Sequence, residues 1–472
     1  MKNFSLIFLH FLIIMNFNNI TTKKLPLIIQ FETLYESNIN TDNFFESRFI
    51  NEPKINLKVG THRQSIPCYL NLNTATFYIS GSNSSLVNNQ PKYDESKSTK
   101  YQNTSAKISY ESFYVYGIPS IDEVCLQQDV TTQMAFYLAQ TKFSSSELTY
   151  SCIVGLGYEE ILYDEIEESE YKEKIDSIIS QMKKNDIINK KIFFINYNSN
   201  NDNDDNGQII FGAYPHEIKD KYCQSCNEED YIEMTNIINE VEIIWSVKGY
   251  IYMGERMIFN YLSSIEFELT QGFIIGSYNY KTNVEKDFFT EKISKNECFK
   301  HEIYMQSDVY DGYYCKNSVD ISKLESLIIL IDKIKYKIEF TYDDLFSENG
   351  DYLYFNVLFK QDENNFNNDF VLGKPFFKKY PIVFNVNSRV EKLGFYHNLF
   401  FQKKQRGNKN TSVNNYINNN KSSKLIWILI IIGIVIIGLL TYIIIKYFRK
   451  PRKQKVNELI EFFDYSSTQK NI

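Results

Sequence analysis

Phe370-Val-Leu-Gly-Lys-Pro-Phe-Phe-Lys-Lys-Tyr-Pro-Ile-Val-Phe-Asn385, followed closely by Leu393-Gly-Phe395, is the stretch on which the fold turns. It consists of short apolar, β-branched and aromatic runs broken by turn-forming residues. Much of the chain before it is built the same way, which is the pattern of many strands joined by turns. The composition agrees: 36 Tyr, 36 Phe and only 9 Pro in 472 residues suit a β-rich protein better than a helical one. The length allows two or three average domains or a single two-lobed one. Acidic residues (58) only modestly outnumber basic ones (51), and both are spread along the chain, which argues against a nucleic-acid partner.

Both ends carry membrane signals. Residues 1–20 place Lys2 before a Leu/Ile/Phe-rich run too short to span a bilayer, as in a secretory signal peptide. Residues 425–445 contain no charge and would form about 31 Å of helix, matching a hydrocarbon core of about 30 Å. Lys446, Arg449, Lys450, Arg452, Lys453 and Lys455 follow at once and mark residues 446–472 as a cytoplasmic tail. The chain is therefore expected to be a single-pass type I membrane protein of the secretory pathway, cell surface or endolysosomal membrane. Its bulk would be lumenal or extracellular. Glycosylation sequons at Asn83, Asn103, Asn410 and Asn420 fit that placement.

In an oxidising compartment the seven cysteines read as disulfide partners rather than metal ligands. Cys298 and Cys315 would close a hairpin-like loop, and Cys223 with Cys226 a tight one. The pairing of Cys68, Cys125 and Cys152 stays open, with one thiol of the seven left over. No metal and no cofactor is expected.

From about Asp164 to Lys184 the pattern changes: Ile175, Ile178, Ile179 and Met182 recur at three- and four-residue steps, which predicts a surface helix. Asn198–Asn206 reads as a solvated loop between strands 191–197 and 208–211. Residues 401–424 are rich in Asn, Lys and Ser and read as a flexible stalk.

Taken in order, these segments resemble the pepsin-like aspartic proteases over about residues 54–396. Asn56-Leu-Lys-Val-Gly-Thr-His-Arg-Gln64 resembles the family's L-x-I-G-T-P-x-Q opening, with His62 where proline is usual. Tyr93-Asp-Glu-Ser-Lys-Ser-Thr-Lys-Tyr101 is similar to F-D-P-S-x-S-S-T-Y, Ser151–Gly157 to D-G-I-L-G-L-G, and Gly207–Gly212 to G-x-L-x-F-G-G. The opening stretch is the closest match, to W-I-L-G-D-x-F-L-R-x-Y-x-x-V-F-D followed by I-G-F. The resemblance implies a mainly β, bilobal fold with a central cleft. An N-terminal lobe over 51–220 and a C-terminal lobe over 221–400 are expected. Residues 21–50 would be a shortened pro-segment, able to present Lys23 or Lys24 to the cleft, or a permanent N-terminal strand.

In that family each lobe contributes a D-T-G loop, and the two carboxylates share one proton so that one activates water while the other polarises the scissile carbonyl. Here Asn73-Thr-Ala-Thr76 and Glu268-Leu-Thr-Gln271 resemble those loops without their aspartates. The amide of Asn73 cannot ionise or share a proton. Glu268 keeps a carboxylate on an arm one methylene longer, Leu269 lacks the family's hydroxyl, and Glu266 is a second candidate acid. Ile108–Gly117 resembles the flap over the cleft, with Tyr110 at the flap tyrosine and Glu111, Ser112 and Phe113 in place of tip glycines. Two readings follow: a membrane-anchored homologue that binds a peptide or protein in its cleft without cleaving it, and an active, atypical aspartic endopeptidase acting on lumenal or extracellular polypeptides.

Overall fold

A computed structural model describes residues 25–33, 44–84, 90–103, 115–142, 150–158, 175–197, 206–218, 232–238, 244–305, 308–361, 369–386 and 391–396. The rest, including 425–445 and the stalk, lie outside the described residues. Among the described residues no helix is long and apolar enough to cross a membrane.

Alternation of apolar and polar residues makes the strands. Leu27–Thr33 buries Leu27, Ile29 and Phe31 and leaves Gln30 exposed, and Pro53–Val59 buries Ile55, Leu57 and Val59 in the same period-two manner. The strands form two large sheets. One of thirteen strands holds the strands between residues 27 and 211 together with Ile232–Asn236, Ile382–Asn385 and Lys392–Tyr396; one of twelve covers 246–372. The sheets therefore do not follow a boundary at residue 220, because the ends of the C-terminal half return to the first sheet. Phe384 pairs there with Phe193, and Lys392–Tyr396 pairs with Ile232–Asn236. The stretch that opened the sequence reading thus ends as a strand joining the two halves.

The expected strands on either side of Asn198–Asn206 are present as Ile192–Tyr197 and Gly207–Phe211, paired antiparallel. Of the predicted helix, Ile178–Lys184 is formed, begun by Ser177, whose hydroxyl accepts from the Ser180 amide. Ile178, Ile179, Ser180, Gln181 and Met182 are all buried, so this helix is packed into the fold and not on the surface as expected; Ile175 precedes it, and 164–174 lie outside the described residues.

Aromatic rings close the junction between the halves. Phe193 and Phe384 stack with centroids 4.7 Å apart. Trp245, fully buried, meets Tyr158 and Phe384 edge-on, and its Nε1 donates to the Leu156 carbonyl at 3.3 Å. A buried indole needs such a partner, since an unpaired N–H there would cost about 1–3 kcal/mol.

The N-terminal region is integral to this architecture. Leu27–Thr33 is an inner strand, paired with Gly207–Phe211 on one side and with Pro53–Lys54 on the other. The helix Phe44–Phe49 then buries Phe44, Phe45 and Phe49 against Phe273, Ile303, Tyr310, Tyr354 and Leu358 of the second half.

Candidate functional site

The two halves build matching loops. In the first, Gln64–Asn71 runs parallel to Cys152–Gly155 with Leu70 beside Val154 and Asn71 beside Gly155. In the second, Ser263–Phe267 runs parallel to Phe370–Leu372 with Phe267 beside Leu372, and Gly373 follows. After each loop the chain returns on the other side of the same strand, Tyr78 against Ile153 and Ile275 against Val371. Both glycines are demanded by the loops they face. A Cβ on Gly155 would lie 2.5 Å from the carbonyls of Thr74 and Thr76, and one on Gly373 would lie 2.4 Å and 2.3 Å from those of Gln271 and Phe273.

This register sets Leu70 with Phe267, Asn71 with Glu268 and Asn73 with Thr270. The residue equivalent to Glu268 is thus Asn71, and the sequence expectation of Asn73 at that point is displaced by two. Its cause is the resemblance of N-T-A-T to D-T-G-S; the better signal was the repeated Leu, since Leu72 and Leu269 are both buried and follow Asn71 and Glu268 directly. Glu266, the other candidate acid, is paired within its strand to Ser246 and Val371 and does not belong to the loop.

Each of the two side chains is held by the residue two positions on. Asn71 Oδ1 accepts from the Asn73 amide at 2.7 Å, and Glu268 Oε1 accepts from Thr270 Oγ1 at 2.5 Å. The second loop is also held from the N-terminal segment. The Asn51 amide donates to Thr270 O at 2.7 Å, and Asn51 Nδ2 donates to Leu269 O at 2.6 Å and to Tyr197 Oη at 2.8 Å. Ile50 bridges to Gln271, and Gly272 N donates to Phe49 O at 2.8 Å. A Cβ on Gly272 would fall 1.7 Å from the Arg48 carbonyl, so glycine is what lets this segment lie on the loop.

Between the loops lies a cavity of about 340 Å³, lined by Leu70 and Asn71 from one and Thr270 and Gln271 from the other. Tyr69, Tyr150 and Tyr310 form part of its wall. The Tyr310 hydroxyl is pushed up to about 12, by burial first and then by the carboxylates of Asp308 and Glu268. Burial likewise pushes up Tyr69, with Glu52 adding to it.

A family model, Eukaryotic aspartyl protease, matches residues 54–395. The chain belongs to the eukaryotic aspartyl protease family. Among curated proteins none matches it. A mainly β chain of two large sheets with paired loops accords with the pepsin-like fold of this family.

The shared register sets an amide, Asn71, and a carboxylate, Glu268, at equivalent positions of the two loops. The remaining expected sites divide as follows. Cys298 and Cys315 are bonded, joining strands 298–305 and 308–316; Cys68 is bonded to Cys152, and Cys125 is buried without a disulfide. Asn83 and Asn103 are exposed. Tyr110, Cys223, Cys226, Asn410 and Asn420 lie outside the described residues. Among the described residues no cluster of three or more His, Cys, Asp or Glu is placed to hold a metal. Sequence reasoning missed Asn51 and Gly272, whose roles come from contacts distant in the chain, such as that of Asn51 with Leu269, 218 residues on.

Proposed function

We propose that this aspartyl protease family member is a membrane-anchored, pepsin-like protein that binds peptide or protein segments in its cleft and does not cleave them. The observation that carries this reading is the equivalence of Asn71 and Glu268 in the two loops. Proton sharing needs two titratable groups. An amide cannot ionise at any accessible pH, so the water-activating step has at most one carboxylate to draw on.

Further support comes from the hydrogen bonds. The Asn71 amide is turned onto its own loop and Glu268 onto Thr270, so both are held by local structure. The cavity beside them supplies a place for a ligand, at the small end of the roughly 300–1,000 Å³ typical of ligand clefts. The anchoring part of the proposal rests on the uncharged run 425–445 and the basic cluster after it.

The experiment is to express the protein in membranes, present it with a mixed peptide library, and follow both cleavage and retention of peptides. Retained, intact peptides agree with the proposal. Cleavage that disappears in Glu268→Ala contradicts it.

A further inference from the structure

The wall of the cavity between the two loops has a one-sided charge. Among the described residues its lining includes two carboxylates, Glu52 and Asp308, and no Lys, Arg or His. Around them stand the rings of Phe49, Tyr69, Tyr150 and Tyr310. We infer that this cavity is a recognition pocket for a cationic side chain, the lysine or arginine of a bound peptide. The inference rests on the reading of the cleft as a peptide-binding site and names what that site selects.

Each carboxylate retains acceptor capacity. Glu52 Oε1 accepts from Tyr150 Oη at 2.7 Å, and Glu52 has no cationic partner among the described residues. Asp308 meets Lys360 at 2.8 Å, but that lysine is nearly half exposed and its pairing is weakened by water. An ionised carboxylate offers about four lone-pair sites, so both can still receive an ammonium or guanidinium donor. Gln271 also lines the cavity, with its Oε1 buried beneath the wall and without a hydrogen-bond partner among the described residues.

The aromatic walls act in the same direction. Faces of tyrosine and phenylalanine attract a cation placed over them, and a partly desolvated site strengthens that attraction. The negative surroundings are already felt by the tyrosines. Beyond the effect of burial, Asp308 and Glu268 hold the Tyr310 proton on, and Glu52 does so at Tyr69. A field that opposes a phenolate favours an ammonium group in the same space. An apolar side chain would gain from the rings but leave the Glu52 carboxylate without a new donor.

The test uses the full-length protein in detergent micelles and three synthetic peptides identical except at one position, which carries Lys, norleucine or Glu. Binding is measured by calorimetry. The Lys peptide is expected to bind about tenfold or more tightly than the norleucine peptide, and the Glu peptide least. The Lys preference should shrink severalfold in Glu52→Gln and again in Asp308→Asn; the two variants are made separately, so one misfolded protein does not end the test. Equal or tighter binding of the norleucine peptide overturns the cationic pocket while leaving a peptide-binding cleft in place. Failure of all three peptides to bind overturns the peptide-binding reading itself.

Discussion

Asn71 and Glu268 occupy the same place in the two halves of the molecule: each follows a residue, Leu70 or Phe267, paired in parallel with the residue before a glycine, Gly155 or Gly373. Each is also tied to the residue two positions later. The two loops therefore share one register, with an amide at the position in the first and a carboxylate in the second.

That register separates two neighbouring asparagines. Asn71→Ala removes the acceptor of the Asn73 amide and is expected to cost about 1 kcal/mol of stability. Asn73→Ala removes a half-buried side chain and should stay within about 0.5 kcal/mol. Chemical denaturation of the two variants checks the order; a larger loss at Asn73 would contradict the register.

Gly272→Ala is expected to destabilise by about 1–3 kcal/mol, because the new methyl group would meet the Arg48 carbonyl at 1.7 Å and the segment Arg48–Asn51 has to shift. The shift also strains the bonds from Phe49 and Asn51 to the second loop. A denaturation midpoint equal to that of the parent protein would show that the segment does not rest on Gly272.

The two disulfides should differ in weight. Cys68–Cys152 spans a separation of 84 residues and Cys298–Cys315 one of 17. Loop-closure entropy then gives about 4.5 kcal/mol for the first and about 3 kcal/mol for the second. Replacing each pair by alanine and comparing unfolding free energies checks this, with the larger loss expected at Cys68–Cys152.

Much of this could be read in the sequence. The motif Phe370–Asn385 identified the fold, and the short apolar runs around Asn198–Asn206 became the expected strands, buried at nearly every position and bounded by a turn-rich segment. The first loop was misread by two residues, since a short polar run such as Asn71-Leu-Asn-Thr-Ala-Thr76 carries no periodicity; only pairing with Cys152–Gly155 fixes which asparagine matches Glu268. Asn51 was not legible either. Its bonds to Leu269 and Tyr197 cross between segments distant in the chain, and nothing local in N-E-P announces them.

Acid should weaken the fold at a definite place. Burial alone would push the Asp311 carboxyl up, but bonds from Lys281, Lys300 and Gln361 outweigh it and hold the group below the usual carboxylate range. A group depressed in the folded state stabilises above its unfolded value, about pH 3.9, and that stability is lost as pH falls through the folded value. Asp311→Asn is expected to lose about 3 kcal/mol near neutral pH and to flatten the acid limb of the stability curve, because two lysines lose their buried partner. An unchanged acid limb would contradict this.

The central claim is that the paired loops persist without a proton-sharing pair. It is tested most directly by incubating the purified protein with a mixed peptide library from about pH 3 to pH 7, alongside Glu268→Ala and a pepstatin-type inhibitor. The expected result is no cleavage by either protein at any pH. Inhibitor-sensitive cleavage by the parent protein that vanishes in Glu268→Ala would contradict it.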